Sequence, residues 1–190
     1  GKENMKIINE AEFREIIKKD GVEGWNRWWK RNEKAINQGS FPTIEESIAA
    51  RRWAIDIDLN SADLSGLVLD GIILSYSNCK NANFINTTLK NAELVCVEFS
   101  YGNLAGTDFS GSNLSLSIFE NADLRGAIFD KTRLLGVYFE NARLEGCDFS
   151  KAIDYCSLEE VIKGLGMDPN EITVKEITDD GKETDVSRDL

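Results

Sequence analysis

The sequence predicts an all-β solenoid, a chain wound into stacked coils around a narrow core. Leu, Phe or, once, Cys stands at every fifth position from Leu59 to Phe149, and a small or apolar residue stands two places before most of them. The sites between them are mainly polar. A period of five matches neither the 3.6-residue repeat of a helix nor the two-residue repeat of a long strand. Each unit must therefore contain a tight turn.

The number of sides follows from a second pattern, because the central residues alternate between Phe and Leu from Phe99 onward. In a coil with an even number of sides, this alternation stacks Phe on one pair of opposed walls and Leu on the other, whereas three sides would mix every stack. Identical side chains interdigitate well at the strand spacing of about 4.8 Å. The predicted core ladder comprises Leu64, Leu74, Leu94, Phe99, Phe109, Leu114, Phe119, Leu124, Phe129, Leu134, Phe139, Leu144 and Phe149.

The units Ala62–Gly66 and Asn121–Gly126 resemble the A-(D/N)-(L/F)-x-x repeats of the pentapeptide-repeat family. The resemblance covers about residues 57–152 and is specific for fold alone. It implies a right-handed quadrilateral β-helix with four units per coil. The segments that flank the repeats are expected to cap this β-helix with short α-helices at both ends. At the strand spacing, the stem has an expected length of about 23 Å.

The chain divides into four predicted segments. Residues 1–4, before Met5, are interpreted as a tag remnant, 5–56 as an α-helical N-terminal cap, 57–152 as the β-helix, and 153–190 as a C-terminal capping helix and acidic tail. Caps are expected because an open β-helix exposes a sheet edge that templates aggregation.

Helical spacing of apolar residues predicts two short helices over 10–19 and 22–37. Capping boxes at Thr43 and Ser157 predict a third helix and the C-terminal helix. Beyond these, we expect one strand, a turn at 179–181 and a mobile final stretch of about ten residues.

The segment Gly21–Trp28 resembles a G-V-x-x-W-N-x-W leader that precedes the repeats in many bacterial members, which implies a bacterial source. Its tryptophans, with Trp29 and Trp53, allow two interpretations. Nearby Arg and Lys residues would suit a binding platform, whereas helical spacing favours a hydrophobic cap core.

The composition argues against nucleic-acid binding and against most kinds of catalytic or metal site. With 22 basic and 33 acidic residues the net charge is −11, the wrong sign for contacting phosphates, so no direct nucleic-acid binding is expected. Histidine is absent, which removes the commonest general base and metal ligand. No phosphate loop, metal cluster or catalytic triad can be assembled. We therefore predict no enzyme activity, cofactor or metal.

Location is predicted from the cysteines and from hydropathy. No apolar run approaches the roughly 18 residues of a spanning helix, so no membrane association is expected. The four cysteines include no C-x-x-C pair, which favours free thiols in a reducing compartment. We expect a cytoplasmic protein, with a removed export leader as the alternative.

Individual stem thiols are expected to differ in reactivity. Cys79 and Cys147 fall in inward columns and should be buried, whereas Cys96 falls at an outward corner and should be the reactive stem thiol. The carboxylates recur at outward sites, where solvation should keep each pKa ordinary.

Assigning the units to four walls separates the charges. A first acidic wall and the opposed second acidic wall each carry −3; they comprise Asp58, Lys80, Glu98, Glu120 and Glu140, and Asp70, Lys90, Asp108, Asp130 and Asp148. A third wall, called the neutral wall below, carries Ile73, Val95 and Leu135 beside Ser and Asn residues. Those three apolar residues are the candidate interface.

The predicted function is a non-enzymatic interaction or scaffold module that presents its walls to a protein partner, with a homodimer as one arrangement. The alternative is a DNA mimic that binds a type II topoisomerase. Family resemblance suggests it, since some members that resemble DNA in charge and width protect these enzymes from quinolones. Fold alone does not decide between them.

Overall fold

The computed structural model describes residues 8–37, 57–155, 174–177 and 183–186. Its elements in chain order are β1 (Ile8–Asn9), α1 (Glu10–Asn37), β2 (Ile57–Asp58), β3 (Arg133–Leu134), β4 (Ile153–Tyr155), β5 (Val174–Ile177) and β6 (Glu183–Val186). Strands β1 and β2 pair in parallel, as do β3 and β4, whereas β5 and β6 are antiparallel. Residues 1–4 and the helices predicted after Thr43 and Ser157 lie outside the described residues.

The repeats form a right-handed quadrilateral β-helix. Each bridging residue pairs in parallel with the residue twenty places further on, as Asp63 does with Asn83 and Asn83 with Asn103. Twenty residues are four units, so each coil has four walls. The two acidic walls have as bridging columns Asp58, Asn78, Glu98, Ile118 and Tyr138 on the first, and Val68, Thr88, Asp108, Ile128 and Asp148 on the second. The bridging column of the neutral wall is Ile73, Glu93, Asn113 and Arg133. The fourth wall, which lies opposite the neutral wall, has the column Asp63, Asn83, Asn103, Asp123 and Arg143.

A tight turn follows the central residue of each unit. In the first unit, the amide of Ala62 donates to the carbonyl of Leu59 at 3.0 Å. The corner residue of that turn, Ser61, has φ 59°, and every fifth residue from there to Gly146 also has a positive φ. A positive φ at the third turn position alone is characteristic of a type II turn. Each five-residue unit therefore consists of one short β-bridge and one type II turn.

The side chains of the central residues fill the interior. Every member of the predicted core ladder is buried. On the first acidic wall, the rings of Phe99 and Phe119 stack with centroids 4.8 Å apart, and on the second acidic wall Phe129 and Phe149 stack at 4.7 Å. Leu94, Leu114 and Leu134 follow one another on the neutral wall. The Phe and Leu ladders thus occupy alternate walls.

Several polar residues that point inward donate to the carbonyl groups of the coils, whereas the buried hydroxyls of Ser77 and Ser112 have no hydrogen-bond partner among the described residues. The hydroxyls of Thr87 and Thr107 donate to the carbonyls of Leu64 and Phe84 at 2.8 Å, and Ser117 donates to Leu94 at 2.6 Å. A buried hydroxyl without a partner costs free energy. The second inward column therefore accepts Ser and Thr as well as Ala.

Helix α1 begins at a capped end and bends once. The Asn9 side chain accepts a hydrogen bond from the Glu12 amide at 3.1 Å, and Glu10 and Glu12 stand in the positive first turn. Gly21 has φ 64° and ψ −168°, which breaks the helical path. Gly21 therefore separates two helices within α1, as the sequence predicts over 10–19 and 22–37, and glycine adopts this conformation without steric cost.

Helix α1 also closes the first coil. Strand β1 adds a parallel strand to the start of the first acidic wall, with Ile8 opposite Ile57. At the neutral wall, the Asn26 side chain accepts from the Ile73 amide at 2.9 Å, and the Trp25 indole donates to the Ile73 carbonyl at 2.7 Å. In later coils these backbone groups bond to the preceding coil. Trp25 and Asn26 therefore satisfy an edge that has no preceding repeat.

The C-terminal elements differ from expectation. Strand β4 extends the neutral wall by pairing with β3. Beyond it, the sequence predicts one strand and a mobile end, but the structure pairs β5 with β6, and β6 lies within the last ten residues. Antiparallel pairing satisfies backbone groups that a single strand would leave open. β-branched residues on both sides of the predicted turn, such as Val174 and Val186, suit this hairpin.

Candidate interaction surface

The neutral wall carries the three candidate interface residues, but they do not lie in one open patch. Ile73 is half-buried, and its backbone is bonded to Trp25 and Asn26. Val95 is half-buried, whereas Leu135 is 46% exposed. The structure therefore places Ile73 against α1 and leaves Val95 and Leu135 on the open part of the wall.

Val95 and Leu135 stand in one column, two coils apart, with Ser115 between them. Two strand spacings correspond to about 10 Å. The amide of Val95 donates to the Ser75 hydroxyl at 3.1 Å, and the Ser115 hydroxyl donates to Asn113 at 2.6 Å. These bonds keep the small polar side chains close to the wall. The two apolar side chains consequently flank a polar row.

The corner beside this column supplies an apolar residue that the sequence analysis missed. Leu116 is half-buried and has φ 63°. A Cβ atom added at Gly136 would lie 2.8 Å from a δ-carbon of Leu116, so this side chain covers the glycine of the next coil. Reading the corner column by coils, as Tyr76, Cys96, Leu116 and Gly136, would have revealed it. Val95, Leu116 and Leu135 together form what we call the apolar stripe.

The predicted reactivity of Cys96 is wrong. Its side chain is 2% exposed, and burial raises the pKa of the thiol to about 11. Cys96 stands in the corner column between the larger side chains of Tyr76 and Leu116, which explains the burial. A corner position therefore does not guarantee exposure when both coil neighbours are bulky.

The other described cysteines lie in inward columns. Cys79 is buried, and desolvation, with the nearby carboxylates of Asp58 and Glu98, raises the pKa of its thiol strongly. Cys147 is only half-buried, and its thiol donates to the Leu124 carbonyl at 2.9 Å. Desolvation raises the pKa of Cys147 to about 12. A thiolate is the reactive form, so none of these thiols is activated.

Three outward carboxylates depart from the predicted ordinary pKa. Hydrogen bonds from Ser65 lower the pKa of Asp63, those from Ser150 lower the pKa of Asp148, and those from Arg125 lower the pKa of Asp123. In each case the donor stands two residues further along the chain, in the turn. A carboxylate that accepts such bonds holds its charge to lower pH. These carboxylates stabilise the turns in which they stand, and their lowered pKa keeps them ionised near neutral pH.

Charge on the second acidic wall is partly compensated. Lys90 lies 3.6 Å from Asp108, and Lys151 lies 3.8 Å from Asp130. Lys131 is exposed at the corner of the same wall.

The neutral wall carries one acidic and one basic bridging residue, Glu93 and Arg133, both exposed. It is the face on which a partner meets least repulsion from a chain of net charge −11.

Metal-binding clusters and membrane-spanning helices are absent from the described part of the chain. Among the residues that the structure describes, no three His, Cys, Asp or Glu side chains gather where they would hold a metal ion. Within those same residues, no helix is long and apolar enough to span a membrane.

Comparison with known families identifies the repeats. The family model for pentapeptide repeats, described as eight copies, matches residues 55–91, 92–130 and 117–153. The match spans 55–153, a little over half of the 190 residues. The chain belongs to the pentapeptide-repeat family. Among curated protein sequences, none matches it significantly.

Several solved pentapeptide-repeat structures are similar to this pentapeptide-repeat protein. Rfr23 from the cyanobacterium Cyanothece 51142 is 33% identical, with 48% of this chain and 56% of that chain covered and a TM-score of 0.30. A pentapeptide-repeat protein of the Arabidopsis thaliana thylakoid lumen is 26% identical, with coverages of 55% and 73% and a TM-score of 0.32. Full-length QnrB1, a plasmid-mediated fluoroquinolone resistance protein, is 16% identical, with coverages of 53% and 70% and a TM-score of 0.22.

The match to Rfr23 thus spans a little over half of that chain. The TM-scores of these three structures all lie below 0.5. The twenty-residue bridge register and the family model establish the fold of the repeats.

Proposed function

We propose that this pentapeptide-repeat protein is a non-enzymatic interaction module whose neutral wall binds a protein partner. The observation that carries the proposal is the apolar stripe of Val95, Leu116 and Leu135 on the least charged face of a strongly acidic chain. Apolar side chains held on a rigid wall lose little conformational freedom on binding. The ladders beneath them supply that rigidity.

The chemistry of the described residues supports binding over catalysis. The thiols of Cys79, Cys96 and Cys147 have a raised pKa, and the perturbed carboxylates bond to their own turns. Active sites more often hold groups whose pKa is tuned toward the working pH. We also propose a bacterial source and a cytoplasmic location, which the free thiols and the leader resemblance support.

The proposal is tested by capture from a lysate of the source organism. A tagged wild-type chain is compared with Val95→Arg/Leu135→Arg, which places two charges in the stripe. The control is Ile85→Arg/Ile128→Arg, which makes the same change on two other walls. We expect the stripe variant to lose the proteins that the wild type and the control retain, as measured by quantitative mass spectrometry. Equal retention by all three would exclude the neutral wall as the docking surface.

A further inference from the structure

Contacts from the N-terminal elements reach three of the four walls of the first coil. Strand β1 pairs with the first acidic wall, and two side chains of α1 bond to Ile73 on the neutral wall. On the fourth wall, the charge of Arg14 on α1 interacts with that of Asp63. On the second acidic wall, no described residue pairs with the edge of Leu67–Asp70 that faces away from the second coil. We call this edge the open edge.

Backbone groups on the open edge lack the partners that they have in later coils. In the second coil, the Thr88 carbonyl accepts from the amide of Leu69 at 2.8 Å, and the Thr88 amide donates to the carbonyl of Leu67 at 3.0 Å. Val68 holds the same position one coil earlier. Within the described part of the chain, its amide and carbonyl have no partner, and neither does the carbonyl of Asp70. Unpaired amide and carbonyl groups on a sheet edge can pair with another strand.

The side chains at the open edge are also uncovered. Val68 is 71% exposed, the largest exposed fraction of any large apolar side chain that the structure describes. Leu67 is only half-buried, whereas the inward residues on the other three walls of the same coil are buried. Asp70 is exposed, and the next residue of its column, Lys90, lies 3.6 Å from Asp108. A strand bound here would therefore contact an apolar surface beside a negative charge.

We propose that the open edge binds an extended segment of a partner protein, which adds a parallel strand beside Val68. The register between coils defines what this segment supplies. The carbonyl of one of its residues accepts from the Val68 amide, and an amide two residues later donates to the Val68 carbonyl. The residue between them lies over Val68, where an apolar side chain gains from burial.

Charge complementarity defines a second position of the segment. Two residues after the apolar side chain, the segment passes over Asp70, where a basic side chain is favoured. The partner therefore has an exposed segment of the form apolar-x-basic. This surface is separate from the neutral wall, and its occupancy does not depend on what that wall binds. For a short free peptide we expect a dissociation constant on the order of 100 micromolar, because the contact is small and the peptide loses conformational freedom.

The direction of the backbone bonds gives a sharp test with a synthetic peptide. The probe is fluorescein-labelled Ser-Gly-Leu-Val-Leu-Lys-Gly, which repeats residues 65–71 with Lys at the place of Asp70. N-methylation of the Leu that follows Val removes the donor to the Val68 carbonyl and should weaken binding about tenfold or more. N-methylation of the Val amide, which points away from the protein, is the matched control and should change binding by less than about threefold. Fluorescence anisotropy during titration with the purified full chain measures each affinity.

A second experiment tests the charge at Asp70. The wild type should bind the Lys peptide about fivefold more tightly than the peptide with Asp at that place. Asp70→Asn keeps an acceptor for the Lys90 amide and should bring the two affinities within about twofold. Asp130→Asn, in the same column three coils later, is the control and should keep the preference for Lys.

The outcomes either support or overturn the proposal. Equal affinities of the two N-methylated peptides would show that the strand does not dock in this register, and would overturn it. No binding of the parent peptide at about 2 millimolar protein, as expected if another part of this chain occupied the edge, would also overturn it. A preference for Lys that persists in Asp70→Asn would exclude the ion pair. Loss of captured proteins by the stripe variant would support the neutral wall in each of these cases, so the two surfaces are tested separately.

Discussion

At the residue scale, the corners decide which side chains the coil tolerates. Every corner from Ser61 to Gly146 has a positive φ, and most are Gly or Asn, which enter this region most easily. Tyr76, Tyr101, Leu116 and Lys131 do so as well. Bulky residues there are strained by about 1 to 3 kcal/mol. The stacked backbone bonds must offset that strain.

Corner burial also reverses the expected order of thiol reactivity, and this is testable. In the native protein, a bulky maleimide should modify Cys96 at least about 100-fold more slowly than a cysteine introduced by Ser61→Cys. Both occupy corners, but Ser61 is exposed while Cys96 is buried with a thiol pKa of about 11. Peptide mapping by mass spectrometry gives the rate at each site. In denaturant the two rates should converge.

The result that contradicts this account is rapid native labelling of Cys96. It would mean that the contacts of the corner column open frequently or that the corner side chain faces solvent.

At the scale of elements, the β-helix can be predicted from the sequence because every five-residue unit requires the same residue types at the same positions. One inward central residue, one small inward residue and one turn recur, so the period and the Phe and Leu ladders could be predicted from composition at each site. The cap has no such repetition. That Trp25 and Asn26 would bond to Ile73 depends on where α1 lies, which the spacing of apolar residues does not determine.

The candidate site was predictable only in part for a related reason. The outward columns place Val95 and Leu135 on one wall, but the sequence does not show that α1 engages Ile73 or that Leu116 folds over Gly136. Both depend on contacts between coils or between segments. Side-chain exposure at a corner is set by neighbours twenty residues away.

The Leu ladder gives a prediction for the stability of an element. Leu114 is fully buried between Leu94 and Leu134, so Leu114→Ala should lower the free energy of unfolding by about 2 to 5 kcal/mol through lost transfer and a residual cavity. Ser115→Ala, on the outer side of the same coil, should change it by less than about 1 kcal/mol. Urea denaturation followed by circular dichroism measures both. Similar losses for the two variants would refute the inward assignment.

At the scale of the whole molecule, the distribution of charge separates two kinds of function. The net charge of −11 suits a protein that imitates DNA, but such imitation requires dense charge along a rod. Interactions between exposed charges are screened beyond about 8 Å at physiological salt. On the second acidic wall, Asp108 and Asp130 already have lysine partners. On this wall, the acidic side chains therefore do not form a continuous uncompensated face.

We accordingly expect that this pentapeptide-repeat protein, at micromolar concentration, neither protects DNA gyrase from a fluoroquinolone nor inhibits it in a supercoiling assay. The triple variant Asp108→Lys/Asp130→Lys/Asp148→Lys should retain the proteins captured by the wild type, because those residues lie away from the neutral wall. The stripe variant should lose them. Protection of gyrase by the wild type that disappears in the triple variant would establish the acidic wall as the functional surface and make DNA mimicry the better explanation.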